Sequence, residues 1–285
     1  MNANHSFSVR TDMADEAHRL WLGDAKRKGS LSGVIAQESK INNFELTEIH
    51  ILDEEGESAI GKAKGRYYSL LLPENFTQGS EHFISAVDAL AELILRLAGE
   101  NKNNVLVAAL GNPDISPDAL GHLSAQSILV TRHLDFADFP FFNSVALCRP
   151  GVLGTSGIES ALQIKAMTEL IKPKLVIVID ALAGSDVNRL CRCIQISDAG
   201  ISPGSGVGND RAEISFSFLG TPVISIGMPT VIDAGLFGGE ALQGMFVTGR
   251  NIDSLVRNAA KLIAYSINKA VHNGIGVSDM DALLN

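Results

Sequence analysis

Two aspartates stand where an α/β protein can use them for chemistry. Val105 to Leu110 is an unbroken apolar run that leads through Gly111-Asn112-Pro113 to Asp118, and Leu175 to Ile179 is a second run that ends directly in Asp180. Apolar runs of this kind fit strands buried on both faces. In open α/β sheets, ligands and reactive groups gather at the carboxyl ends of such strands, and right-handed crossovers can bring two ends into one crevice. Carboxylates held close together do not both ionise readily, so one keeps a proton. Such a pair can supply a general base for water and a general acid for a leaving group, with apparent pKa values that belong to the pair. Both residues also have a purely structural reading, Asp118 as an early-helix acid favoured by the dipole and Asp180 as the cap of the next segment.

The remaining chemistry-bearing residues are fewer. Gly200 to Asn209 is a Gly-rich loop whose backbone N–H groups can face an oxyanion or a substrate, which makes Gly204, Ser205, Gly206, Gly208 and Asn209 candidate substrate contacts. It lacks the Lys of a phosphate-binding P-loop and the strand-to-helix setting of a dinucleotide fingerprint. His122 and the Arg132-His133 pair can hold an acid or base, or simply pack. Cys148, Cys191 and Cys193 are an odd number without metal or redox spacing, and free buried thiols are the expectation. No cluster has metal-ligand spacing and no serine sits in a nucleophile elbow. Neither a metal nor another cofactor is expected.

These residues need elements to hold them. Ser116 and Pro117 read as the N-cap and first position of a helix running to about Ile128, which places Asp118 in the first helical turn. Thr11 or Asp12 can cap a helix reaching about Lys28. Glu45 to Leu52 and Gly65 to Pro73 read as strands joined by a turn at Asp53 to Glu57. Helical periodicity covers Ser80 to Ala98, a stretch from Thr155 or Ser156 to Ile171, and Ile252 to Val271. Short strands are expected at Leu129 to Thr131, Ser144 to Leu147 and Cys193 to Asp198, and a third buried strand at Pro222 to Gly227. Strands alternating with helices predict a three-layer αβα sandwich of phosphorylase/hydrolase-like type with a mainly parallel central sheet.

Composition bounds the function. With 285 residues, 46% of them hydrophobic and 19% charged, the chain can bury a sizeable core as one domain. A formal net charge of -9 argues against general attraction to nucleic acid or to an anionic membrane. The first residues lack a signal-peptide pattern, and no apolar run approaches the ~18 residues a membrane helix needs. A cytoplasmic protein is expected.

At Gly111-Asn112 through Asp118-Ala119-Leu120-Gly121 the chain resembles the bacterial spore germination proteases. The likeness also takes in Val9-Arg10-Thr11-Asp12, Thr131-Arg132-His133, Pro150-Gly151-Val152-Leu153-Gly154, Ile179-Asp180-Ala181-Leu182-Ala183, Gln195-Ile196-Ser197-Asp198, Pro203 to Asn209 and Gly227 to Ala234. The resemblance implies an endopeptidase of the spore core that starts the degradation of small acid-soluble spore proteins, with a fold shared with hydrogenase maturation proteases. It implies that the catalytic aspartates are Asp118 and Asp180, and that a tetrameric zymogen cuts itself at Asp12-Met13. Residues 1–12 are then a short tail or propeptide, and residues 13–285 the protease domain. Leu110 to Pro113 and Thr131 to His133 are also similar to motifs of peptidyl-tRNA hydrolases, although an acidic chain suits tRNA poorly. A non-catalytic binding member of the protease family is the third reading.

Overall fold

The two apolar runs are neighbouring strands of one sheet. The computed structural model describes residues 10–23, 31–74, 76–208 and 211–284. In chain order the elements are α1 (Ala14–Gly23), β1 (Val34–Ile41), β2 (Phe44–Ile51), α2 (Glu54–Ile60), β3 (Gly65–Leu71), α3 (His82–Ala98), β4 (Asn104–Ala109), α4 (Leu120–Ala125) and β5 (Ser144–Cys148). There follow α5 (Leu153–Ser156), α6 (Ser160–Ile171), β6 (Leu175–Gly184), β7 (Cys193–Ser197), α7 (Phe216–Leu219), β8 (Val223–Asp233), α8 (Gly235–Gly238), β9 (Phe246–Val247), α9 (Ile252–Val271) and α10 (Val277–Leu284).

The strands form a nine-stranded sheet of order β1-β2-β3-β7-β8-β6-β4-β5, with β9 paired to β8. Strands β8, β6, β4 and β5 are mutually parallel. The other half, β1-β2-β3-β7, is antiparallel and joins β8 in antiparallel register. The αβα sandwich is therefore parallel where the two aspartates lie and mixed as a whole.

Alternation along the strands assigns the two faces. Val105 and Val107 of β4 and Leu175, Ile177 and Ile179 of β6 enter the core beneath α3, α4, α9 and α10. Leu106 and Ala108 of β4 and Val176 and Val178 of β6 face α6 and α7. On this second face α1 and α2 cover the antiparallel half, where Ala14 and Ile60 meet Ile49, Ile51 and Tyr67. Burial on both faces is why β4 and β6 carry continuous apolar runs.

Several local expectations differ from the structure. Strand β1, half-exposed, turns into β2 through Asn42 and Asn43, both at positive φ (47° and 70°), which suits the tight turn of a hairpin. The acidic Asp53–Glu57 stretch starts helix α2 rather than a simple turn: the Asp53 carboxylate accepts the Gly56 N–H at 3.0 Å as an N-cap. The helix expected from Thr155 to Ile171 is two pieces, because Gly157 at φ +70° ends α5. Leu129–Thr131 forms no strand; the Thr131 and Arg132 N–H groups converge on the single carbonyl of Val145. Residues 24–30, into which the first helix is expected to continue, lie outside the described residues.

Candidate active site

The site is built at the carboxyl end of β4; Asp180, expected at the end of its strand, lies instead within β6, which continues past it to Gly184. After β4 the chain turns at Gly111, whose φ of +99° and tight fit both require glycine: a Cβ there would lie 1.9 Å from the Asp118 carbonyl oxygen. The Asn112 N–H then donates to the Asp118 carbonyl at 3.1 Å and to its Oδ2 at 2.9 Å. Asp118 closes a 3₁₀ turn, Ser116–Asp118, with Pro117 in its first positions. It is thus one step short of the α-helical turn expected for it, since α4 starts only at Leu120, and Ser116 makes no side-chain cap bond. Gly121 seats α4 on both strand ends, because a Cβ there would meet Leu110 O at 2.3 Å and Ile179 O at 2.8 Å. That seating brings Asp118 beside the residue following Ile179, which is Asp180.

Asp180 lies inside β6 on the same face as Val176 and Val178, with only 5% of its surface exposed. Its Oδ1 accepts the Ala181 N–H at 3.0 Å. Burial pushes its carboxyl well above the ordinary 3.8, the negative charge of Asp118 pushes it further, and Asp12 adds to this. Asp118 is half-buried, and desolvation raises its carboxyl while the Asn112 N–H, Arg211 and His122 draw it down. Arg211 lowers both members of the pair. Of the two carboxyls Asp180 is the one pushed further up, and an unequal pair of this kind is what can offer an acid and a base together.

A cavity of about 740 Å³ opens on the same face of the sheet, toward its antiparallel half, and Gln195, Ser225, Tyr67 and Lys62 are among the residues lining it. Neither aspartate of the pair lines it. Leu182 and Gly227 do, and Gly227 is the register partner of Asp180 on β8, so the cavity begins one wall away from the pair.

Across this face runs the segment from Arg10 to Glu16. The Asp12 N–H donates to the Ala183 carbonyl at 2.8 Å, and the Ala183 N–H returns a bond to Asp12 Oδ2 at 2.8 Å. Ser205 Oγ donates to Asp12 Oδ1 at 2.7 Å. Met13 is fully buried with Leu182 and Cys193. Asp15 and Glu16, unexpectedly for the first turn of a helix, are also buried. Asp15 takes Arg189 Nη2 at 2.5 Å and the Ser69 hydroxyl at 2.9 Å, and Glu16 takes the N–H and hydroxyl of Ser185.

Among the residues picked out from sequence, Asp118 and Asp180 thus come close enough for the charge of one to act on the other, Asp12 lines the adjoining cavity, and Met13 is buried beside it. Gly204, Ser205, Gly206 and Gly208 form a 3₁₀ turn bounded by left-handed glycines, and what they meet is Arg10 and Asp12. Asn209 lies outside the described residues. His133 is exposed on a turn, whereas His122 is half-buried near Asp118. Burial pushes the thiols of Cys148, Cys191 and Cys193 up to about 12, which removes them as nucleophiles. Among the described residues no group of His, Cys, Asp and Glu could hold a metal, and no helix is long and apolar enough to cross a membrane.

Sequence reasoning assigns no role to Gln195, Lys62 or Arg211. Gln195 has a readable signal, a lone amide between the apolar residues of a buried strand. Lys62 and Arg211 sit in connecting segments with no pattern to single them out.

A family model described as germination protease matches residues 11–245. A germination protease of Caldanaerobacter subterraneus subsp. tengcongensis is 36% identical, the alignment covering 97% of this chain and 98% of that protein. One of Clostridium tetani is 33% identical over 98% of this chain and 100% of its own length. A third, from Geobacillus sp., is 40% identical over 80% of this chain and 64% of that protein. Among solved structures, the [NiFe] hydrogenase maturation protease HycI of Thermococcus kodakarensis is 16% identical and covers 61% of this chain and 98% of its own, with a TM-score of 0.38.

Proposed function

The chain belongs to the germination protease family, and we propose that it is an aspartic-type endopeptidase that begins the degradation of small acid-soluble spore proteins, with Asp118 and Asp180 as its catalytic pair. The observation that carries the pair is the burial of Asp180 with the charge of Asp118 against it. In this reading the ionised carboxylate takes a proton from a water molecule as its oxygen attacks the scissile carbonyl. The protonated partner hydrogen-bonds the carbonyl oxygen as it gains charge. The proton taken from water then passes to the departing nitrogen as the C–N bond breaks, so the pair ends with the single proton it began with. Arg211 supplies a positive field over the region where negative charge develops.

The same reading takes residues 1–12 as a propeptide removed by self-cleavage at Asp12-Met13, residues 13–285 as the protease domain, a homotetramer as the assembly and the spore core as the site of action. The turn at Gly204–Gly208 contributes to substrate binding through its hold on the Arg10–Asp12 segment.

Incubating the full chain with a purified small acid-soluble spore protein tests this directly. Wild type is expected to cut it, while Asp118→Asn and Asp180→Asn lose at least about 10³-fold in kcat, the scale on which an acid-base pair contributes. Full activity in either variant sinks the pair. Turnover of peptidyl-tRNA by the wild type, or binding of the spore protein without cleavage, replaces the peptidase reading with one of its rivals.

A further inference from the structure

Two cations draw the Asp118 carboxyl down, and they come from different parts of the chain: Arg211 from the segment before α7, and His122 from α4 itself. The 3₁₀ turn that ends in Asp118 meets α4 at Ala119, so His122 stands one helical turn after Asp118, at the four-residue spacing that puts side chains on one side of a helix. It also lies in the last turn of α4, where unpaired carbonyls favour a cation. The imidazole is not tied into the fold: its Nδ1 is buried with no hydrogen-bond partner among the described residues. A buried polar atom left unpaired costs stability, and native structures keep few of them.

The two carboxyls are unlike in their surroundings. Asp118 is half-buried, and its Oδ2 takes the Asn112 N–H at 2.9 Å, while its Oδ1 takes no donor among the described residues and is not enclosed. Asp180 is 5% exposed inside β6, with the negative charges of Asp118 and Asp12 against it. Arg211 acts on both carboxyls and so does not separate them. Helix α9, which packs on α4, brings no charge: the polar residues of its buried face are Tyr265, Ser266 and Asn268, and the Tyr265 hydroxyl is spent on Asp281. The charge that distinguishes the pair is therefore His122, which bears on Asp118.

We propose that protonated His122 is a positioning residue that keeps Asp118 ionised, so that Asp118 is the base of the pair and Asp180 its acid. The proposal rests on the peptidase reading and deepens it by giving each carboxyl one role. Asp118 takes the proton from water and passes it to the departing nitrogen, while Asp180 keeps its own proton and hydrogen-bonds the carbonyl oxygen with it. Histidine is the side chain that ordinarily changes charge between pH 5 and 8, so the base owes part of its ionisation to a group that titrates in that range.

The test measures kcat/KM of the full chain on a small acid-soluble spore protein at pH 5 and pH 8. Without a cation one turn away, Asp118 takes up its proton at higher pH, and the fall in rate from pH 8 to pH 5 is expected to be about threefold deeper in His122→Gln than in wild type. His122→Lys retains a cation and is expected to fall no more than wild type. A fall in His122→Gln equal to that of wild type overturns the proposal, and so does a His122→Lys protein that falls as deeply as His122→Gln. The coupling is reciprocal, which makes it readable without turnover. In NMR titrations of protein carrying 13C-labelled histidine, the His122 resonance, one of seven, is identified by its absence from His122→Lys. Its midpoint is expected to move about half a pH unit lower in Asp118→Asn, the same threefold effect seen from the other side. An unmoved midpoint overturns the proposal. This titration carries the decision if His122→Gln does not fold, and also if wild type cleaves nothing, in which case the peptidase reading fails separately.

Discussion

Gly121→Ala changes one methyl group in a residue that touches no substrate, and the structure sets how far it must move the site. The added Cβ would sit 2.3 Å from Leu110 O, 2.6 Å from Leu110 N and 2.8 Å from Ile179 O. All three are backbone atoms of β4 and β6, packed in a core that does not yield. Ordinary carbon-to-oxygen contact begins at about 3.4 Å, so the α4 turn has to retreat by about 1 Å. Asp118 is three residues upstream on that turn and is tied to it through Asn112 and Gly111. It therefore moves away from Asp180 by a comparable amount. A misplacement of about 1 Å costs on the order of 10²-fold in turnover, and overpacking of this kind costs about 1–3 kcal/mol of stability. The assay is kcat on a spore-protein substrate together with the thermal unfolding midpoint. Gly154→Ala is the control, since a Cβ there meets nothing within 4 Å. A Gly121→Ala protein with wild-type kcat refutes the claim that this glycine sets the distance between the two carboxyls. A protein destabilised as expected but fully active refutes it just as firmly.

Other expectations follow from the same geometry. Asp180 has its carboxyl raised in the folded state, so the native protein binds more protons than the unfolded chain above pH 3.8, and that part of its stability is lost as pH rises from there. Asp180→Asn keeps the Oδ1 acceptor for Ala181 and removes this loss, so its unfolding midpoint relative to wild type is expected to climb between pH 4 and pH 7; a constant difference contradicts the assignment. Arg211 holds both carboxyls down, so Arg211→Ala is expected to move the alkaline limb of the kcat/KM profile to higher pH as well as lowering the rate, and a limb that stays put removes Arg211 from the site's electrostatics. Arg189→Met leaves Asp15 buried with one cation fewer, and denaturant unfolding should show a loss of about 3–5 kcal/mol, the usual cost of breaking a buried pair. A loss under about 1 kcal/mol means that Arg19 and Ser69 suffice to hold Asp15.

The parts legible in the sequence are those whose cause is local. Strands β4 and β6 are readable because a strand buried on both faces has to be apolar at every position, and α3 and α9 because a helix covering a sheet repeats its apolar residues at 3.6-residue spacing. The Gly-Asn-Pro break after β4 is equally local. Less legible are elements that the fold imposes on ordinary sequence: β1 is mostly exposed and has little apolar signal, and the 3₁₀ turn at Asp118 replaces a helical one because Gly121 docks α4 where the strand ends allow.

By itself, then, the sequence determined that two carboxylates each come after an apolar run buried in the sheet, since burial periodicity is written residue by residue. Their adjacency is a different matter. It depends on β4 and β6 being parallel neighbours in one register, with Ala109 opposite Ile179, and on the Asp118 turn closing back over that edge. The grip on Asp12 is more distant still, because Lys62, Ala183, Gln195 and Ser205 come from separate stretches of chain and converge only when α1 lies across the sheet. Strand order and the packing of one layer on another bring such residues together, and these are properties of non-local contacts that no local pattern of residues encodes.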